Sequence, residues 1–395
     1  MASVASAPAE PDWLTERRLR GASLASELPL PDQKAKGWEF TDLAGLDLDA
    51  YEPGAGELQI EDGGAAAAGA LVLPLDLALR GRGEQLQEHL GSLVAIEDPF
   101  VARNEAAWES GVLVYVPAGV RVPEPIEIAT TQAIDASSCN RRTLVVLEEG
   151  AEAELWEGYR SADEELDALL NAVVELRVGP GATLRYVCTQ DISERSWIFA
   201  TQRAEVERDG SLDWTALGFG SARGKVRMET KLAGPGSEAR VTGAYAGGGT
   251  QHLDYDTTQE HAAPNTTSDL AFRGVLDGRA TAVWRGMIRV DPGAQQTDAF
   301  QESRNLLLST EAHADAIPGL EIEANDVRCT HAAAVAQIDR EQLFYLRARG
   351  LDDEAARRLI IEGFLEALVA RLAEGKVRDE VSAALERRLG EILGG

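Results

Sequence analysis

No C-x-x-C pair occurs in this 395-residue chain, and it has only three cysteines, Cys139, Cys188 and Cys329. A four-cysteine zinc or iron–sulfur site built by one copy of the chain is therefore excluded. An odd number of widely separated thiols also argues against a disulfide framework and for a reducing, cytoplasmic setting. Basic charge is scarce: 38 lysines and arginines face 66 acidic residues, for a formal charge of −28. That balance opposes general nucleic-acid binding, which needs cations for phosphates, and docking on anionic membranes. Only five of the 38 cations are lysines, a bias that fits high-GC coding or a salty cytoplasm and says little about catalysis. No apolar run approaches the roughly 18–20 residues that a bilayer span needs. The opening MASVASAPAEPDW lacks the basic and apolar regions of a secretory leader, so none is expected. No G-x-x-x-x-G-K-[ST] loop is present, so any ATP hydrolysis must come from a partner.

Three textures divide what is there. Residues 1–98 form a mixed, helical N-terminal region, with 1–9 small, polar and expected to be disordered. Its first helix, over WLTERRLRGASLASEL, is stopped by Pro29 and Pro31. GGAAAAGA at 63–70 reads as a loop, and Leu71–Leu90 as partly helical. Residues 99–335 are β in texture: short runs rich in branched residues, such as GVLVYVP and NAVVELRVGPGATLRYVC, lie between glycine turns. The turns share one form, a glycine followed by a small residue, at Gly150-Ala151, Gly181-Ala182, Gly210-Ser211 and Gly236-Ser237, and again at Gly293-Ala294. The first four are spaced 31, 29 and 26 residues apart. A turn-and-strand unit at that period favours a parallel β-helix, whose coils stack to bury a continuous core, while a sandwich or jelly roll stays open. Residues 336–395 are helical. Ala356, Leu359, Ile360, Gly363, Phe364, Leu368 and Leu372 make an apolar stripe at helical spacing, after an acidic first turn. The stripe is able to pack on the chain's own core or to dock a partner.

Cys329 and His331 are the candidates for chemistry. Two apart in a strand, they project from the same face and offer two donors suited to iron, zinc or copper. Two ligands are half a coordination shell, so the rest must come from elsewhere. Cys139 and Cys188 read as core or loop residues. His252, His261 and His313 are scattered without zinc-type spacing. Carboxylates such as Asp254, Asp256 and Glu260 mean little in a chain with 66 acids. GAYAGGGT at 243–250 lacks a lysine and a following helix, and is a turn.

The run NLLLS, then PGLEIEANDVRCTH, then LFYLRARG, from Asn305 to Gly350, resembles the SufB/SufD family of iron–sulfur cluster assembly proteins, on its SufD side. GWEFTDL and the segment from Gln251 to Gly274, with Asp254, His261 and Thr266, are similar to further elements of that family. A cysteine typical of SufB-like chains, and a glutamate beside the histidine, are missing here. Where the family commonly reads G-A-T-V-G after the histidine, this chain has Ala332-Ala333-Ala334-Val335-Ala336, so those positions need no positive φ. The resemblance implies a right-handed parallel β-helix core between an N-terminal domain and C-terminal helices. It implies a non-catalytic scaffold subunit that meets a SufB-like subunit and docks a SufC-like ABC-type ATPase, with a homodimer left open for the isolated chain. A transient iron–sulfur cluster, shared with the partner and not held tightly by the chain alone, would form near His331 and Cys329. Phe344, Tyr345, Arg349, Leu359 and Phe364 are the expected partner-binding residues. The competing readings are a SufB-type scaffold that itself holds the cluster and a β-helix enzyme acting on carbohydrate.

Overall fold

The computed structural model describes residues 10–372 and 374–394, so the expected disorder of residues 1–9 lies outside the described residues. Its core is a parallel β-solenoid of eight coils, each giving one strand to each of two facing sheets. The first sheet runs from Ser110–Val116 to His313–Ile322, the second from Ile126–Gln132 to Val327–Gln337. Every ladder between these strands is parallel. That rules out the sandwich and the jelly roll, which need antiparallel pairing. Two antiparallel strands, Leu71–Pro74 and Glu57–Glu61, close the N-terminal end of the sheets.

The glycine turns are where each coil passes from the first sheet to the second. Gly150 and Gly181 hold φ of 66° and 62°, a conformation that a Cβ disfavours. Each also donates its N–H to the next coil, to Pro180 O and Arg208 O at 2.8 Å, so the corners form a hydrogen-bonded column. In the third corner the left-handed residue is Asp209, not Gly210, and two corners later it is Asn265. Asp and Asn tolerate this region better than other side chains, which explains why the glycine signature fades there. The small residue after the turn points inward: Ala151, Ala182 and Ser237 are fully buried.

Aromatic residues are few, but the lumen collects them. Trp214, Trp284, Tyr186, Tyr245 and Phe272 are fully buried between the sheets, and Tyr245 stacks on Tyr255 with centroids 5.5 Å apart. Gly243 makes room for this, since a Cβ there would sit 2.3 Å from the Phe272 ring.

The N-terminal helix Asp12–Glu27 lies against helix Pro99–Ala107, at a point where Gly21 lets the backbones approach: a Cβ would come within 2.7 Å of Ala106 N. Asp98 caps the second helix by accepting from Phe100 N and Val101 N at 2.9 Å. GGAAAAGA is not a loop throughout. Ala65–Ala68 form one helical turn, because Gly64 and Gly69 on either side adopt the left-handed region and bound it. Leu71–Leu90 is a strand and two short helices.

Three helices follow the solenoid: Arg340–Ala348, Asp353–Val369 and Lys376–Gly394. They cover the outer face of the second sheet, where Leu217, Ala244, Ala246, Ala271 and Val275 meet Ile361, Leu365, Leu368, Leu385 and Leu389. The seating face of Asp353–Val369 is rotated from the apolar stripe read in the sequence. Ala356, Ile361, Leu365 and Leu368 are buried, while Leu359 and Gly363 are exposed. An apolar stripe wider than the sheet contact leaves one edge uncovered, and Leu359 stands on that edge.

Candidate functional site at the open end of the solenoid

The last coil has no following coil to pair with. His313–Ile322 and Val327–Gln337 are the edge strands of their sheets, and Leu320, Ile322 and Val335 on them are exposed apolar side chains. A long unpaired edge of this kind is a ready template for another strand. Strand Val327–Gln337 runs through the alanine segment after His331 without a positive φ, as those side chains require.

Cys329 and His331 lie on this edge strand. Register pairs Cys329 with Ala299 and His331 with Gln301 on the preceding coil, both buried in the lumen, so the thiol and imidazole belong to the inward-facing row. Cys329 is half-buried against Ile288, Val290, Ala294 and Ala299, whereas His331 is exposed. Burial, and then the Asp298 carboxylate, raise the Cys329 thiol above its ordinary pKa. It is a thiol near neutrality unless a metal or a cation displaces the proton. Among the described residues no group of three or more histidine, cysteine or acidic side chains is arranged to hold a metal ion. The pair offers two donors on an open edge.

The other cysteines are lumen residues. Cys139 is fully buried, with burial pushing its thiol up to about 11. Cys188 is pushed up to about 12 by burial and by Glu157, and accepts from Gln202 Nε2 at 3.5 Å. His261 is fully buried between Thr266 and Ser268 hydroxyls at 2.7 and 2.8 Å, and burial pushes its imidazole down to about 4. His252 bonds the hydroxyls of Thr41 and Thr281. None of these reaches the Cys329–His331 strand.

The five expected partner-binding residues separate into two environments. Phe344, Tyr345 and Leu359 are 75%, 57% and 50% exposed and border an open groove of about 870 Å³ between helices Arg340–Ala348 and Asp353–Val369. Arg349 is exposed and sits over the Tyr345 ring, 5.0 Å from its centroid. Phe364 is half-buried beside the solenoid, with the Arg273 guanidinium 5.8 Å from its ring.

Sequence reading missed the buried charges that fix the N-terminal region on the first sheet. Lys225 and Asp254 are an ion pair there, and Arg142 bonds Glu105 of helix Pro99–Ala107. Their signal was available, because Lys225 and Asp254 stand one coil apart, in register.

Comparison with known proteins bears on the whole chain. The family description "SUF system FeS cluster assembly, SufBD core domain" matches residues 129–364. An iron–sulfur cluster assembly SufBD family protein of Mycobacterium leprae is 29% identical over 373 residues, covering 88% of this chain and 93% of that protein. The iron–sulfur cluster assembly protein SufD of Bacillus subtilis is 26% identical over 416 residues, covering 96% and 95%. A SufBD family protein of Staphylococcus epidermidis is 29% identical over 306 residues, and the match spans 66% of its length, just under two thirds. No described helix is long and apolar enough to cross a membrane. With the family's core matched from the second strand of the first coil into the C-terminal helices, the chain belongs to the SufB/SufD family of SUF-system iron–sulfur cluster assembly proteins.

Proposed function

We propose that this chain is a SufD-like, non-catalytic subunit of a cytoplasmic iron–sulfur cluster assembly scaffold. Its open solenoid end pairs with the corresponding end of a SufB-like subunit, and its C-terminal helices dock a SufC-like ABC-type ATPase. The observation that carries this reading is the placement of Cys329 and His331 side by side on an unpaired edge strand. Neutral imidazole and thiolate are good iron ligands, and two of them on an open edge make sense where a partner supplies the remainder. The cluster is cargo here: it forms at the joint, shared between the two subunits, and leaves. ATP binding by the partner would shift the two solenoids relative to each other and open the joint.

The test is co-expression with candidate SufB-like and SufC-like chains, followed by mass determination of whatever co-purifies. A complex of this chain with both supports the scaffold reading, and a chain indifferent to both overturns it. Within the complex, His331→Ala should lower iron and sulfide content while the isolated variant keeps its thermal midpoint, because an exposed side chain contributes little to stability. Unchanged iron and sulfide would remove His331 from the site.

A further inference from the structure

The last helix, Lys376–Gly394, meets the solenoid in two different ways along its length. Its second half is seated by Leu385 and Leu389 and by Arg388, which is only 8% exposed. Arg388 Nε donates to Ala246 O at 3.2 Å, and Nη2 donates to both Gln251 Oε1 and Glu194 at 2.7 Å. Nη1 is held by Glu391 of the same helix at 3.0 Å. Glu194 belongs to the corner between strands Thr183–Asp191 and Trp197–Val206. Ala246 is near the end of strand Glu238–Gly247, and Gln251 belongs to the corner between that strand and His252–His261. Gln251 extends the connection to the corner lying between them, since its Nε2 donates to Phe219 O at 3.1 Å and Ser221 O at 2.9 Å. A single guanidinium thus ties the helix to two coils directly and, through Gln251, to the one between them.

The first half of the helix is seated by Val381, with Val377 partly buried beside it, and its start is held differently. Lys376 pairs with Glu127, both partly in solvent, and its ammonium sits 5.2 Å from the Trp156 ring. Between that contact and Arg388 lies a cavity of about 550 Å³, bordered by Trp156, Arg160, Thr189, Asp191, Ala384 and Arg387. A solvent-screened ion pair holds weakly, while a buried guanidinium with four hydrogen bonds is costly to detach. The helix is therefore weakly held at its start, by Lys376, and pinned in its second half by Arg388.

We propose that Arg388 is a positioning residue that couples the C-terminal helices to the solenoid. The helix pivots at Arg388, and its displacement is passed to the corners at 192–196, 219–222 and 248–251. The source of displacement rests on the reading that an ATPase docks on these helices; the coupling itself is a property of this chain.

Hydrogen exchange on the full chain tests it directly. Arg388→Gln should speed exchange at the amides of Gly220, Ser221, Gly248 and Gln251 by about ten-fold, with no change in strands Ile126–Gln132 and Thr297–Leu307. Leu385→Ala, which loosens the apolar seat of the helix and leaves the guanidinium bonds, should leave those four amides protected. Unchanged corner amides in Arg388→Gln, or equal loss in both variants, would overturn the proposal. A second arm adds the ATPase with a non-hydrolysable ATP analogue. The wild-type chain should show altered exchange at the three corners, and Arg388→Gln should bind the ATPase equally well without that change. Altered exchange persisting in the variant overturns the coupling. Absence of ATPase binding by the wild type removes the partner reading, and the first arm still decides the role of Arg388.

Discussion

Lys225 donates to both carboxylate oxygens of Asp254 at 2.9 Å each, with both side chains almost fully buried on the outer face of the first sheet. The N-terminal segment covers them: the Thr41 hydroxyl bonds Asp254, and the Lys225 ammonium lies 5.7 Å from the Trp38 ring. Breaking a buried pair typically costs about 3–5 kcal/mol, here eased by Asp256 at 3.6 Å from the Lys225 ammonium, whereas replacing both partners by apolar side chains of similar volume is often neutral. Asp254→Ala should therefore lower the thermal midpoint far more than the double variant Lys225→Met, Asp254→Leu. Equal losses in the single and double variants, read by thermal or urea denaturation, would show that the pair is not what anchors the N-terminal segment.

His261 sets an acid limit on stability. Its folded pKa, about 4, lies below the ordinary value of 6.5, because burial disfavours the charged ring. Unfolding below pH 6.5 takes up a proton that the folded ring refuses. Stability from this group is therefore complete above about pH 6.5 and falls as pH drops toward 4, by up to about 1.4 kcal/mol per pH unit. His252 is lowered by burial as well and steepens the same slope. His261→Gln should flatten the dependence of the unfolding free energy on pH between 6.5 and 4, at some cost in stability at pH 8. Parallel wild-type and variant curves across that window would count against the assignment.

The period of the solenoid was legible in the sequence because a corner with a left-handed residue followed by a small buried one recurs in most of its coils. It blurred where Asp209 and Asn265 stand in for glycine. Cys329 and His331 were legible as a same-face pair because strand geometry alone places i and i+2 together. Their position on an open edge was not, since it depends on which coil comes last. The rotation of helix Asp353–Val369 was hidden for a different reason. Its apolar residues span more than one face, and only the small Ala244, Ala246 and Ala271 on the sheet opposite decide that Ile361 goes in while Leu359 stays out. Nothing local in the sequence around Arg388 marks the corners of two coils, or the third that Gln251 adds, as what it reaches.

The three thiols should react in an order set by access and by pKa. Cys139 and Cys188 are enclosed in the lumen and pushed up to about 11 and about 12, so neither is a thiolate near neutrality. Cys329 is half-buried and the least enclosed of the three. Iodoacetamide should label Cys329 first by mass spectrometry, leaving the other two unmodified until the chain unfolds. Asp298→Asn removes the carboxylate that helps raise the Cys329 pKa and should speed its labelling. Early labelling of Cys188 would mean that the lumen opens in the native state.

Phe344, Tyr345 and Leu359 form an exposed apolar border to a groove, an arrangement that costs hydration in the free chain and gains on docking. Because these side chains touch little of their own protein, Phe344→Ala with Tyr345→Ala should shift the stability of the isolated chain by no more than about 0.5 kcal/mol. If the groove seats the ATPase, aromatic anchors of this kind are where the binding energy concentrates, and truncating one typically costs about 2 kcal/mol or more. The double variant should then fail to retain the ATPase in co-purification while still pairing with the SufB-like subunit. Phe364 serves as the contrast: it is half-buried beside the Arg273 guanidinium, so Phe364→Ala should lower the thermal midpoint of the isolated chain as well. Retention of the ATPase by the Phe344→Ala, Tyr345→Ala chain would move the docking surface off this groove.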